Sequence, residues 1–411
     1  MDKKSQWAWL EESSENTRKN YNTSIRHYEE FHQMSIDRLI QEALDEQTER
    51  VPEHLLKVYD RIMDFQHHLM KEYKYGSIKE HCQRIRTIYK RARVKLPYLP
   101  PLDPKKCMRS EPITYDQILT KEEIKQAISF LSPNLQARAM IMATGGYSLK
   151  ETSILTLNGF LNDLYEYHKS DDVYTALQRI AEQDNIIWVT QLIRVKTQKP
   201  YYGVCNPETV QAIARSWLTM DIEREKKKYA WKHRLPEDKK VTLPLFKHNS
   251  SYISQKFGEV NDKLKFGKAG GKRRFTPHSL RRFNATRLSG ASLTDEESLK
   301  VSMIDEIQGR SMNNVQDRYI KTNPIRQKVL YAKVMNNVSL YNRYEHELVD
   351  GEVVVRRVNQ VKKNEKLEKE NKKLRNQIKK SNEADLELKE FIETVGKDNF
   401  KKQLTKLLGE L

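Results

Sequence analysis

Apolar residues recur at helical spacing through the first hundred positions. Tyr21, Ile25, Tyr28 and Phe31 mark one amphipathic helix, with Asn16 or Thr17 as its cap. Leu55, Leu56, Tyr59, Ile62, Met63, Phe65 and Leu69 mark a second, opening after Pro52. Gly76-Ser77 interrupts, and Ile78, Cys82, Ile85, Ile88 and Tyr89 mark a third. His67-His68 has no further ligand at helical spacing, which places it at the surface or partly in the core. The pattern predicts a small helical bundle over residues 1–97. Prolines 97, 100, 101, 104 and 112, with Lys105-Lys106, then predict an extended linker over 98–118.

A second domain, 119–345, opens with the capping box Thr120-Lys-Glu-Glu123 ahead of Ile124, Ala127, Ile128 and Leu131. An apolar helix over Ala137–Ala143 ends at Thr144-Gly-Gly146. Ser148 and Glu151 then start another helix. Ile186–Val189 and Leu192–Val195 read as strand, Lys196–Lys199 as a turn, and Tyr201–Val204 as the returning strand. Helices are expected from Pro207 to Lys227 and after Phe246, with an exposed charged stretch from Glu223 to Arg234. Beyond Ser289-Gly-Ala-Ser, apolar positions precede Gly309, and Val329 to Leu340 forms a further helix. The fold class is mostly α with a small β-hairpin.

The tail, 356–411, is rich in Lys, Glu and Asn. Leu367, Leu374, Ser381 and Leu388 share one heptad position, and Asn364, Asn371, Ile378 and Asp385 the partner position. A long helix with a short coiled-coil segment is expected.

Charge narrows the function. Of 411 residues, 32% are charged and the net charge is +18, which points to a polyanionic partner, double-stranded DNA first. The third helix carries Lys79, Arg84, Arg86, Lys90, Arg91 and Arg93, and the glycine-rich loop at 266–274 carries Lys272, Arg273 and Arg274; with Arg282 these are candidate backbone contacts. That loop lacks the Gly-x4-Gly-Lys-Ser/Thr spacing of a nucleotide-binding loop. Three scattered cysteines form neither a zinc pattern nor a disulfide framework, so a reducing compartment is expected. No apolar run spans a membrane and no signal peptide is evident. No acidic cluster supports a metal nuclease, and no metal or cofactor is expected.

The chemistry concentrates at Thr276-Pro-His-Ser-Leu-Arg281-Arg282. Thr276 suits an N-cap and Pro277 the first helical position, and His278 and Arg281 then share a face. A helix N-terminus carrying His and Arg suits a phosphate, which a tyrosine brought there could attack. Gly309-Arg310-Ser311 and Tyr319 follow.

These residues resemble the tyrosine site-specific recombinases, the phage-integrase family, and are most similar to its archaeal integrase-like members. The resemblance covers about Ser13 to Leu340 and rests on His278-x-x-Arg281, on Gly309-Arg310-Ser311 followed by Tyr319, on Lys196 in the hairpin turn, and on Thr144-Gly-Gly-Tyr-Ser-Leu-Lys-Glu151. It implies a helical core-binding (SAM-like) domain followed by a catalytic domain, the two closing on duplex DNA. It implies Tyr319 as nucleophile, Arg281 and Arg310 on the phosphoryl oxygens, His278 as acid/base and Lys196 as proton donor to the leaving hydroxyl. It further implies no cofactor, a tetramer on paired sites, and a cytoplasmic, nucleoid-associated location. The sequence departs from the family at two places: Ser148 stands where the first catalytic arginine belongs, and Arg310 where His or Trp is usual. Lys150 or Arg138 could supply the missing charge. The alternative is a recombinase-fold DNA-binding or architectural protein that no longer cleaves.

Overall fold

The computed structural model describes residues 3–109, 111–195, 198–236, 239, 241–292, 295, 297–310 and 323–358, with 372–374, 377, 389, 393 and 396–408 in the tail. The chain divides into two compact units, Met1–Thr114 with Lys268–Lys272, and Tyr115–Gly267 with Arg273–Leu411.

The first unit is a bundle of five helices: α1 (Lys3–Glu11), α2 (Glu15–His32), α3 (Ile36–Thr48), α4 (Lys57–Glu72) and α5 (Tyr75–Arg91). The cap of α2 is Ser14, whose hydroxyl accepts from Thr17 N–H, and not Asn16 or Thr17, which lie inside the helix. The core is built from the expected apolar stripes, with Tyr28, Ile62, Phe65, Ile78, Ile85 and Tyr89 fully enclosed. Gly76 and Ser77 do not break the chain here; they occupy the first turn of α5. His68 stacks on Phe31 at 4.6 Å, a partly buried position.

The second unit is organised on α7 (Pro133–Thr144), preceded by α6 (Lys121–Ser129). Every residue of α7 from Asn134 to Thr144 except Gln136 is buried, as expected of a helix apolar on all sides. One apolar cluster meets its Ala139, Met140, Met142 and Ala143 face, and a second meets Ala137 and Ile141. Next come α8 (Leu149–Ile154), α9 (Leu157–Asp163), α10 (Tyr165–His168) and α11 (Val173–Glu182). The expected hairpin is present as one continuous strand, β1 (Trp188–Ile193), antiparallel to β2 (Pro200–Cys205), in register Trp188 to Cys205. Then follow α12 (Pro207–Leu218), α13 (Ile222–His233), α14 (Ser250–Lys263), α15 (Pro277–Leu288), α16 (Val301–Ile307) and α17 (Pro324–Val338).

A second hairpin, β3 (Tyr344–Val349) with β4 (Glu352–Arg357), was not expected. It spans the boundary drawn between the second domain and the tail. Its signal was local: Asp350-Gly351 takes φ of 51° and 83° between alternating residues, the pairing that a two-residue hairpin turn requires. Tyr344, Val353 and Val355 bury against the core around α17. In the tail, Leu374 is helical and 51% exposed, and Lys397–Leu408 forms α18. Leu367, Ser381, Leu388, Asn364, Asn371, Ile378 and Asp385 lie outside the described residues. The fold class is mostly helical with small antiparallel hairpins.

Candidate active site

The site grows from two helix starts. Ser148 caps α8: its hydroxyl accepts from Glu151 N–H at 3.3 Å, and Glu151 Oε2 accepts from Ser148 N–H at 2.7 Å. Thr276 caps α15 in the same reciprocal way with Ser279, and Pro277 takes the first position. The first box turns the Glu151 carboxylate inward. There the same Oε2 accepts from Arg281 Nη1 at 3.0 Å, and both side chains are nearly enclosed, 4% and 7% exposed. The other arm of Arg281 donates to the Gln308 carbonyl at 2.5 Å.

Gln308 ties this arrangement to α7. Its amide donates to the Arg281 carbonyl and to Asn284 Oδ1, while Asn284 donates to the carbonyls of Ala143 and Thr144. Gly146, at φ +70°, leaves no room for a Cβ, which would sit 2.4 Å from Asn284 Oδ1. Gly309 is equally constrained: at φ +61° it lies against the Tyr201 ring, 2.7 Å from where a Cβ would stand. Tyr201 is buried beside Glu151, and burial followed by that carboxylate pushes its phenol well above the ordinary range.

Three guanidinium groups therefore meet around the Gln308–Arg310 turn. Arg281 approaches from α15. Arg310 is exposed, its N–H on the Asp305 carbonyl at 2.7 Å and its guanidinium 3.4 Å from the Asp305 carboxylate. Arg194, just past the end of β1, donates to the Gly309 carbonyl. Burial lowers the pKa of Arg281; the neighbouring Glu151 opposes that, and the positive charges of Arg310 and Arg194 add to it. Arg194 was not singled out from the sequence, because a residue beside a hairpin turn carries no local sign of what it reaches. His278 is exposed on the first turn of α15. Lys196 and Tyr319 lie outside the described residues.

Arg138 does not supply the charge missing at Ser148. It is fully buried and donates to Thr152 Oγ1, the carbonyls of His248 and Leu149, and Ser153 Oγ, with its plane 5.5 Å from Phe246. It fastens α7 to α8 and to the segment leading to α14. Lys150 is exposed on α8.

The candidate backbone contacts divide by what they touch. Lys79, Lys90, Arg91 and Lys272 are exposed, with the Arg91 guanidinium 5.3 Å from the Trp9 ring. Arg84 pairs with Glu80 at 2.7 Å, and Arg86 and Arg282 are half-buried. Arg273 pairs with Asp262 at 2.7 Å with both side chains half exposed. Arg274 forms a fork on Glu123, at 2.8 and 3.0 Å, and reaches the carbonyls of Gln117 and Ile118. Four such bonds make it an internal tie of the second unit. Among the described residues no group of three His, Cys, Asp or Glu is placed to hold a metal ion, and no helix is long and apolar enough to cross a membrane.

No family model matches the sequence, and no curated protein does. Among solved structures the chain is similar to XerA recombinase, with 18% identity over 79% of this chain and 94% of that one, at a TM-score of 0.30. It is also similar to the XerH site-specific recombinase bound to difH substrate in a pre-cleavage complex, with 12% identity over 66% and 69% of the two chains and a TM-score of 0.34.

Proposed function

We propose that this chain is a site-specific DNA recombinase that cuts and rejoins strands through a 3′-phosphotyrosyl intermediate. The observation that carries the reading is the convergence of Arg281, Arg310 and Arg194 on the Gln308–Arg310 turn. Each guanidinium has an internal partner, and three positive charges brought to one turn suit a phosphodiester, which needs several positive donors in transition-state geometry. Arg194 takes the part of the arginine absent at Ser148. Tyr319 attacks phosphorus, the Tyr319 oxygen–phosphorus bond forms, and the bond to the 5′ oxygen breaks. Lys196 gives that oxygen its proton, while His278 receives or shares the phenolic proton. A 5′-hydroxyl of the partner strand reverses the step.

Membership of the tyrosine recombinase family, and closeness to its archaeal members, rest on the sequence motifs. On the same footing, residues 1–97 and 119–345 are the core-binding and catalytic domains joined by a linker at 98–118, 356–411 is a helical tail, four protomers act on paired duplexes, and the protein works at the nucleoid.

The test uses a nicked duplex carrying a site that the protein selects from a random pool. The expected result is a covalent adduct on a denaturing gel, abolished by Tyr319→Phe and reduced about 10²–10³-fold by Arg194→Ala. Absence of adduct on a duplex that is demonstrably bound refutes the cleavage reading. The architectural alternative then stands; the role of Ser148 as a helix cap, with no arginine in its place, is the observation that favours it.

A further inference from the structure

A second surface of the catalytic unit has the chemistry of a nucleic-acid contact. Trp231, near the end of α13, is 84% exposed, while Trp188 and Trp217 in the same unit are 1% exposed. Lys227 and Lys228 lie one turn before Trp231, Lys232 follows it in the chain, and Arg234 forms the left-handed C-cap one turn after. Trp231, Lys227, Lys232, Arg234 and Lys239, with Leu235 and Pro236, line a groove of 690 Å³. The helix's two acids are spent elsewhere, Glu223 on Lys226 at 2.7 Å and Glu225 on Lys247 at 3.0 Å. Among the described residues Lys227, Lys232 and Arg234 make no ion pair, so the described lining of the groove carries uncompensated positive charge.

Folding does not account for the arrangement. Cations in the last turn of a helix meet the negative end of its dipole, which explains Lys232 and His233. Lys227 and Lys228 lie further back, and Lys228 and Lys232 repel at i,i+4. An indole left in water gains nothing. A protein partner would have to bury several lysines, which interface cores avoid. A membrane surface calls for a broad apolar face, whereas α13 offers one exposed ring and turns Ile222 into the core. A charged groove with one free aromatic face matches single-stranded nucleic acid, whose bases stack on the ring while lysines follow the phosphates. Bases in a duplex are already stacked on each other.

We infer that the α13 groove binds single-stranded DNA, with Trp231 stacking on an unpaired base and Lys227, Lys232 and Arg234 on the backbone. The inference does not depend on strand cleavage, so Tyr319→Phe should bind labelled oligo-dT as the wild type does. In the full chain, Trp231→Ala should weaken oligo-dT binding about 5- to 150-fold and leave duplex binding unchanged. Trp231→Phe should retain most of the affinity. Replacing Lys227 and Lys232 by Gln should flatten the dependence of affinity on log salt by about 1.4. Unchanged oligo-dT affinity in Trp231→Ala overturns the assignment. So does a Trp231→Ala protein that keeps oligo-dT binding but loses binding to phosphatidylserine vesicles, which would make the groove a lipid contact.

Discussion

Replacing Glu151 by Ala removes the carboxylate oxygen that the Ser148 N–H and the Arg281 guanidinium share. Both charged side chains are almost fully enclosed. Deleting one partner of a buried pair costs about 3–5 kcal/mol, since the remaining charge has no compensation. The lost bond to Ser148 N–H adds about 1 kcal/mol. The expected loss for Glu151→Ala is therefore about 4–6 kcal/mol. Glu151→Gln, which keeps an acceptor oxygen and the volume, should lose about 2 kcal/mol. The assay is urea unfolding with linear extrapolation, in a background carrying W7F, W9F and W231F so that Trp188 and Trp217 report on the second unit. Adding Arg281→Met to Glu151→Ala should recover stability, because the orphaned charge is gone and the two changes are not additive. A loss below about 1 kcal/mol for Glu151→Ala is what a solvent-screened pair would give. It would mean that water reaches the pair and that the carboxylate does not hold Arg281 in place.

Three further outcomes are expected. Gly309→Ala should lose about 2 kcal/mol, read by thermal melting, because alanine must adopt the left-handed conformation and displace the Tyr201 ring; an unchanged melting temperature would remove the close approach from the site. Ser148→Ala should lose about 1 kcal/mol as a lost cap and leave adduct formation intact; a fully stable variant with impaired cleavage would instead put Ser148 in the chemistry. The first unit should lose stability as pH falls through the ordinary histidine value of 6.5, because burial lowers the pKa of His81 and of His32, so the unfolded chain takes up protons more readily there. His81 faces Ser24, His27, Tyr73, Arg84 and Glu80, and His81→Gln should shrink that slope in urea titrations at successive pH values, with His32 accounting for the remainder.

Elements whose signal lies within one turn were legible. The boxes at Thr120–Glu123, Ser148–Glu151 and Thr276–Ser279 form where local capping chemistry puts them. The first hairpin and the apolar stripes of the bundle also follow from near neighbours, and Asp350-Gly351 was equally readable though it was passed over. The stretch from α9 to α11 carried its own helical period in Val173, Ala176, Leu177, Ile180 and Ala181.

By itself the sequence determined many of the helical segments, the starts at Thr120, Ser148 and Thr276, which faces are apolar, and that the chain is strongly basic. Which charges are spent inside and which are left for a ligand was decided only by the tertiary structure. Arg281 meets Glu151 across 130 positions, Arg274 meets Glu123 across 151, and Arg194 reaches Gly309 across 115. A guanidinium looks the same along the chain whether it staples two helices, as Arg138 does, or stands at a turn beside two others. Capping and periodicity act between residues a few positions apart, whereas the partner of a charge is fixed only when distant segments pack and exclude water between them.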